Sequence, residues 1–146
     1  MDTVVKIRQI ALDDADAIQN IRKAISADEA DIDSVKIVEQ QIRENQGKLS
    51  LVAEVDEKLV GYMISTLLYA GFGIKKSAWI MALGVHPDYM GQGIGLQLAR
   101  KICEIYDNKG VENIYSSVRW DSTDVLSFFK KLGFERSEFI NLKKKL

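Results

Sequence analysis

The sequence predicts an α/β fold, in which a mixed sheet that is antiparallel in its first half carries helices on both faces. Three observations predict it: strand-like and helical periodicities follow each other along the chain, a tight turn joins two neighbouring strands, and a glycine-rich turn joins an apolar strand to a long helix. The predicted order is β-α-α-β-β-β-α-β-α-β. The chain has 146 residues, 47% of them hydrophobic and 28% charged, which is typical of a single globular domain, here residues 1–146.

The first strand and the first two helices are predicted within residues 4–47. Residues 4–9 have strand character, and Asp13 is expected to cap the helix that follows. Asp33 or Ser34 starts a second helix, which runs toward Gly47. The apolar side chains that recur at helical spacing are Ile18, Ile21, Ile25, Val35, Val38 and Ile42. Each helix is therefore expected to pack one face on the sheet.

A hairpin occupies the middle of the chain. Alternating apolar residues over 49–55 predict a strand, residues 56–58 form a turn, and residues 59–69 return antiparallel. After a loop over residues 70–76, the apolar run 79–85 predicts a further strand.

Four elements are predicted in the second half, alternating helix and strand. They are a helix over residues 94–108 ended by Gly110, a short strand over 113–119, a helix through Leu132 capped by Ser122 or Thr123, and a final strand over 134–146.

The turn between the strand at 79–85 and the helix at 94–108 contains three alternating glycines, Gly91, Gly93 and Gly95. Glycine allows backbone conformations that other residues resist, and a helix N-terminus offers unpaired N–H donors, so this segment is suited to a pyrophosphate. Two common phosphate sites are excluded. The glycine spacing differs from G-x-G-x-x-G and the next strand ends without an acidic residue, and the chain contains no G-x-x-x-x-G-K-[ST] run.

Two segments resemble signatures of the GNAT superfamily of N-acetyltransferases. Residues 85–89, Val-His-Pro-Asp-Tyr, and residues 91–95, Gly-Gln-Gly-Ile-Gly, are similar to its coenzyme A signature V-x-P-x-[YF] followed by [RQ]-x-x-G-x-[GA], with Met90 where Arg or Gln is usual. Residues 122–134 resemble the later signature N-x-x-A-x-x-[FL]-Y-x-K-x-G-F, with Ser122 in place of Asn and Phe129 in place of Tyr.

The resemblance implies the GNAT fold and transfer of an acetyl group from acetyl-CoA to a primary amine of a small molecule or protein. It implies that the backbone N–H of Val85 stabilises the oxyanion, that Leu83 and Gly84 line the pantetheine channel, and that Phe129 stands where many members carry the tyrosine thought to protonate the departing thiolate. No metal is expected. The complete set of expected cofactor contacts is Leu83, Gly84, Val85, Met90, Gly91, Gln92, Gly93, Ile94, Gly95, Leu96, Ser122, Phe129 and Lys131.

The general base stays open at the level of sequence. The strand at 77–85 contains no acidic residue, and the strand at 113–119 offers only serines near its centre. A water relay, an amine that arrives deprotonated, and the side chains of Glu54, Tyr62 and Asp121 are the alternatives. A different class of function, a non-catalytic acyl-CoA sensor, is also open because Phe129 and the missing acids remove groups that catalysis commonly uses.

Two segments are candidates for acceptor contacts. The acidic residues at 28, 29, 31 and 33 form either a patch that attracts a cationic amine or a solvated loop. The apolar, glycine-containing loop at 69–74 either flanks the acceptor site or packs against a second subunit of a homodimer.

Composition argues against several classes of partner. The net charge of −1 gives no electrostatic basis for binding nucleic acid or an anionic membrane. Cys103 is the only cysteine and His86 the only histidine, so neither an internal disulfide nor a zinc site is expected, and Cys103 is interpreted as a small packing residue. Because the chain contains no long apolar run or secretion signal, a cytoplasmic protein is expected.

Overall fold

The computed structural model describes residues 4–26, 33–44, 47–69 and 76–146. The strands are β1 (Lys6–Gln9), β2 (Leu51–Val55), β3 (Lys58–Tyr69), β4 (Lys76–Val85) and β5 (Ile114–Ser116), and the helices are α1 (Ala15–Ile25), α2 (Ser34–Arg43), α3 (Ile94–Asn108) and α4 (Thr123–Lys131). No helix in these ranges is long and apolar enough to cross a membrane.

The strands form one sheet in the order β1-β2-β3-β4-β5. Strands β1 to β4 pair antiparallel with one another in that order, and β5 pairs parallel to β4, so the predicted mixed sheet is confirmed. The hairpin between β2 and β3 turns at Asp56 and Glu57, which have φ angles of 51° and 65°. A two-residue turn with positive φ at both positions matches the right-handed twist of the strands it joins.

Two apolar clusters lie on opposite faces of the sheet. The α3 cluster contains Leu98 and Ile102 of α3 and Phe129 of α4, packed on residues of β2, β3 and β4. The α1 cluster contains Ile18 and Ile21 of α1 together with one apolar residue of α2. The predicted coverage of both faces by helices is therefore confirmed, and the chain buries apolar surface on each side of the sheet.

The predicted final strand over 134–146 is wrong. This segment has no strand structure and is mostly exposed. Its contacts with the rest of the fold include the ring of Phe134 against Phe129, the ring of Phe139 against Tyr115, and a hydrogen bond from Asn141 Nδ2 to Ser117 Oγ at 2.9 Å. A strand needs a neighbouring backbone ladder, and β5, which was expected over residues 113–119, is only three residues long.

Three smaller expectations also need correction. Helix α1 begins after a 3₁₀ turn and has Asp14, not Asp13, at its N-cap, and the Asp14 carboxylate binds Arg8 instead of the helix. The expected side-chain cap of α4 is missing, because Ser122 occupies the N-cap without a capping hydrogen bond. In α2, where Asp33 does cap the helix as expected, Val35 and Ile42 are exposed and leave Val38 as the buried apolar residue of the predicted face.

Candidate active site

Strand β4 contains a one-residue bulge at Met81. The consecutive β3 residues Ile64 and Ser65 pair with Ala82 and Ile80, which leaves Met81 between them without a partner. The Met81 side chain is 63% exposed. A bulge of this kind shifts the alternation of the strand by one residue and bends it locally.

The bulge changes which backbone groups of β4 point away from β3. The N–H of His86 donates to the carbonyl of Val60 at 2.8 Å, in the same register as the β3–β4 ladder. Residues of an antiparallel pair alternate between facing the partner strand and facing away from it. Leu83 and Val85 therefore direct their N–H and C=O groups away from β3. Their side chains pack on the α3 cluster, and the side chain of Ile80, on the other side of the bulge, belongs to the same cluster.

Strand β5 does not cover these groups. It pairs with β4 only at residues 78, 79 and 80, and its last residue, Ser116, donates its hydroxyl to the carbonyl of Ile80 at 3.1 Å. Because β5 ends at Ser116, its pairing with β4 does not continue past Ile80. We call residues 81–85 the open edge of β4, because their outward backbone groups have no strand beside them within the described part of the chain.

The open edge leads directly into the glycine turn. Gly91 and Gly93 have φ angles of 80° and 78°, and Gly93 is the N-cap residue of the 15-residue helix α3. A Cβ at either glycine would meet nothing within 4 Å, so the backbone conformation rather than crowding requires glycine there. The exposed residues Met90 and Gln92 flank these positions, and the turn presents backbone N–H groups at the start of a helix.

The third glycine has a different role. A Cβ at Gly95 would lie 3.1 Å from Cε2 of Phe128, so its absence allows α4 to approach α3 closely. Ile94 beside it is fully buried in the α3 cluster, and Leu96 is half-buried. The ring of Phe128 thus packs over the first turn of α3.

A cavity of about 690 Å³ lies beside the open edge. Met81, Ala82 and Leu83 line it from β4, and residues 116–118 line it from the end of β5 and the chain that follows. Residues of β3, α1, α2 and α4 are also among its lining. This volume is in the range of small-molecule sites. We call it the β4 cavity.

Phe129 is the α4 residue that links the cavity to the core. It is 5% exposed, its ring packs edge-on against Phe128 and Phe134 at centroid distances of 5.3 and 4.9 Å, and it lines the β4 cavity. Ser122 is half-buried at the start of α4, whereas Lys131 is exposed at the end of the same helix. The structure therefore brings Phe129 to the cavity and leaves Lys131 outside its lining.

The three side-chain candidates for a general base lie in different surroundings. Glu54 accepts a hydrogen bond from Arg8 Nε at 2.6 Å and does not line the cavity. Asp121 is exposed, and its hydrogen bonds with Arg119 hold the pKa of its carboxyl below the usual range. Tyr62 lines the cavity and is 1% exposed. Tyr62 is the candidate of the three that the structure places beside the open edge.

Arg22 is a cavity residue that the sequence reasoning missed. It is 4% exposed and lines the β4 cavity from α1. The available signal was its position four residues after Ile18, on the apolar face of the helix, where a charged residue is unexpected. The acidic segment and the apolar loop that were considered for acceptor contacts lie largely in residues 27–32 and 70–75, outside the described residues; Asp33 caps α2.

Comparison with known proteins identifies the family to which this fold and site belong. The profile of the acetyltransferase (GNAT) family matches residues 15–134. An acetyltransferase of Pectobacterium atrosepticum is 35% identical over 99 residues, which is 67% of this chain and 65% of that protein. The chain thus belongs to the acetyltransferase (GNAT) family, and its match spans just under two thirds of that relative.

Solved structures show the same fold. The aminoglycoside N-acetyltransferase AAC(6')-Iy in complex with CoA matches with a TM-score of 0.83 and 18% identity, covering 99% of this chain and 97% of that one. A ribosomal-protein-alanine N-acetyltransferase from Brucella melitensis biovar Abortus 2308 matches with a TM-score of 0.77 and 16% identity, covering 98% and 99% of the two chains. These two proteins act on different acceptors by their names, so the shared fold leaves the acceptor open.

Proposed function

We propose that this protein is an acetyl-CoA-dependent N-acetyltransferase that acetylates a primary amine. The observation that carries the proposal is the continuity of three features: the open edge of β4, the glycine turn, and the N-terminus of α3. Together they offer one line of backbone donors with a cavity of suitable size beside it. The CoA complex of the similarly folded aminoglycoside N-acetyltransferase supports this choice of co-substrate.

Backbone groups supply most of the proposed binding site. The amides of Gly91, Gly93 and Gly95 and of the first turn of α3 would hold the pyrophosphate, because helix-terminal N–H groups have no partner inside the helix. The outward groups of residues 83–85 would bond the amides of the pantetheine arm. The other proposed contacts come from Met90, Gln92, Ile94, Leu96, Ser122, Phe129 and Lys131. Dependence on main-chain donors explains how Met90 can replace the usual Arg or Gln at this turn.

The chain would contribute to the reaction mainly by positioning the thioester and the amine and by donating one hydrogen bond. Acetyl-CoA supplies the thioester, and the open edge would hold it with its carbonyl oxygen at the N–H of Val85. That donor is preorganised by the β3–β4 ladder, so it stabilises negative charge on the oxygen without reorganising. The amine nitrogen attacks the carbonyl carbon from the β4 cavity, the carbon–sulfur bond breaks, and the sulfur leaves as thiolate.

Proton transfer in this site would depend on few side chains. Glu44 is the acidic residue among the described residues that line the cavity, and its carboxylate accepts a hydrogen bond from Gln40 Nε2 at 3.0 Å. Phe129 has no proton to give to the sulfur. An amine that enters deprotonated, or one that loses its proton through water to solvent, fits these surroundings best.

The experiment that tests the proposal measures binding and turnover on one preparation. CoA is expected to raise the melting temperature, since a ligand at 100 times its dissociation constant adds about 2.7 kcal/mol to the free energy of unfolding. Acetyl-CoA with a panel of amines is then expected to release CoA thiol. Unchanged melting in millimolar CoA, together with no calorimetric heat, would contradict CoA binding itself.

A non-catalytic acyl-CoA sensor is the second candidate, and the buried apolar ring of Phe129 is the observation that favours it. The same experiment separates the two candidates. A sensor binds acetyl-CoA with measurable heat but releases no thiol with any amine, whereas a transferase releases thiol in proportion to the acetylated amine that appears.

A further inference from the structure

The β4 cavity contains a buried cation, Arg22. The side chain is 4% exposed, and its Nε has no hydrogen-bond partner in the described structure. The guanidinium carbon lies 5.6 Å from the centroid of the Tyr62 ring. The described salt bridges include none to Arg22.

This arrangement leaves the charge of Arg22 only partly compensated. A guanidinium stays protonated in proteins and has five N–H donors, so it cannot escape burial by losing its proton. The face of an aromatic ring attracts the cation, but it does not accept hydrogen bonds from the N–H groups, which point outward in the plane of the guanidinium. A buried donor without an acceptor destabilises the folded protein. An anion in the cavity would satisfy both the charge and the orphaned donor.

The remaining lining residues indicate what kind of anion fits. Gln40 and Gln41 are neutral, and Glu44, the other charged residue among the described lining residues, is exposed and already bonded to Gln40. One guanidinium balances one negative charge and can bind a carboxylate through two parallel hydrogen bonds. A phosphate monoester carries nearly two charges and would need a second cation, which the described lining does not provide. A polycationic amine would be repelled by the positive charge of Arg22.

Arg22 is also close to the strand that would hold the thioester. Its guanidinium lies over Tyr62, and Tyr62 lies against Gly84 of β4, between the two residues whose backbone groups face outward. A ligand whose carboxylate bonds Arg22 therefore has the rest of its length within reach of the open edge. The cavity volume allows an amino acid or a short peptide.

We propose that the acceptor is a small amine that also carries a carboxylate, an amino acid or a short peptide, and that Arg22 binds the carboxylate while the amine lies at the thioester. This inference rests on the proposed acetyltransferase activity and narrows its substrate class. The selectivity comes from one hydrogen-bonded ion pair. Amines that lack the carboxylate leave the guanidinium unpaired and are disfavoured.

The first test compares acceptors that differ only in the carboxylate. Amino acids and dipeptides are assayed with acetyl-CoA, each beside the same compound with an amidated C-terminus, and rates are corrected for the fraction of neutral amine. The free acids are expected to show kcat/KM values about 10- to 100-fold above their amides, the range for a hydrogen bond to a charged group. Equal values for acids and amides, or acetylation confined to amidated or polycationic amines, would overturn the proposal.

The second test changes Arg22. R22M removes the charge and keeps a long side chain, whereas R22K keeps the charge without the planar guanidinium. R43M is the matched control, because Arg43 is exposed on α2 and does not line the cavity. R22M is expected to lose the preference for free acids, R22K to lose part of it, and R43M to keep it. Circular dichroism and melting establish that each variant is folded, and CoA affinity is expected to stay unchanged in all three.

Direct binding keeps the two proposals separable. Calorimetry with N-acetylated dipeptides, as free acids and as amides, needs no turnover. Tighter binding of the free acids by the parent but not by R22M supports the carboxylate site even if no thiol is released. If the parent protein did not bind CoA, the proposed acetyltransferase activity would be contradicted. If it bound CoA but did not discriminate between acids and amides, only the proposed role of Arg22 would be contradicted.

Discussion

Tyr62 lies directly against the backbone of Gly84. A Cβ at Gly84 would be 2.8 Å from Cε1 and 3.0 Å from the hydroxyl oxygen of Tyr62, closer than packed atoms allow. The two residues are cross-strand partners in the β3–β4 ladder, and Tyr62 in turn carries Arg22 over its ring. The missing side chain at position 84 thus sets the position of an aromatic ring that separates the strand from the buried cation.

Gly84→Ala is expected to destabilise the fold by about 1–3 kcal/mol, because the added methyl group overpacks a site where Tyr62 is buried and Ile25 is also close. Denaturant unfolding measures the change. Gly47→Ala is the control, since a Cβ there would make only an ordinary contact at 3.7 Å. If Gly84→Ala were as stable as the control, the Tyr62 ring would have to be free to move aside.

Gly93→Val is expected to weaken CoA binding and also to cost about 1–2 kcal/mol of folding free energy, because Gly93 has a φ of 78° that a β-branched residue resists. Gly110→Val is the matched control: Gly110 has a φ of 75°, likewise with open space around its Cβ position, and it lies beyond the other end of α3.

Both glycine variants should lose similar stability, and only Gly93→Val should lose CoA affinity by calorimetry. Equal CoA affinity in the two variants would place the pyrophosphate elsewhere.

Phe129→Tyr adds one hydroxyl to a ring that lines the β4 cavity. If departure of the sulfur limits the reaction, the added acid should speed the chemical step, by no more than about 100-fold because thiolate is already a competent leaving group. Single-turnover kinetics across pH measures this step. Phe128→Tyr is the control, since Phe128 packs over Gly95 and does not line the cavity. An unchanged or slower step in folded Phe129→Tyr would show that this ring does not face the sulfur.

Asp14→Asn is expected to lower stability at pH 7 by about 1–3 kcal/mol, since it weakens a paired contact with Arg8 at 2.7 and 2.8 Å. Burial alone would raise the pKa of Asp14, but hydrogen bonds from Arg8 and the N–H of Ala11 outweigh it, and the pKa is lowered. The stabilisation is therefore present above the unfolded-state pKa of about 3.9 and is lost as the pH falls through the lower folded-state value.

The parent should consequently lose stability more steeply than Asp14→Asn as the pH falls below about 5. Unfolding free energies measured from pH 7 to pH 3 test this, with Asp13→Asn as the control because Asp13 is exposed. Parallel pH profiles for the parent and Asp14→Asn would contradict a lowered pKa.

The sequence predicted best where one local signal dominated. Helix α3 has the bounds that its apolar stripe and glycines indicate, and the turn at Asp56 and Glu57 forms where the hairpin pattern places it. Prediction was wrong where tertiary partners decide. Residues 134–146 have strand-like composition but no ladder to join, and Asp14 binds a strand residue, Arg8, that no local pattern connects to it.

The candidate site was predictable in part for the same reason. The glycine turn is a continuous motif, so its residues are adjacent in sequence and in space. The bulge at Met81 depends on the register between β3 and β4, and the burial of Arg22 depends on how α1 sits on Tyr62. Spacing within one segment does not encode the bulge, and for Arg22 it indicates only a place on the apolar face of α1.

The open edge also divides the amides of β4 into two populations. The amides of Ala82 and Gly84 bond to β3, whereas those of Leu83 and Val85 face the open edge, so hydrogen exchange along β4 should alternate between slow and fast at successive residues. A molecule that hydrogen-bonds along the open edge would slow the two fast amides and remove the alternation. Amide hydrogen exchange along β4, measured by NMR, would therefore report residue by residue whether the open edge is occupied. This measurement is possible before any acceptor is known.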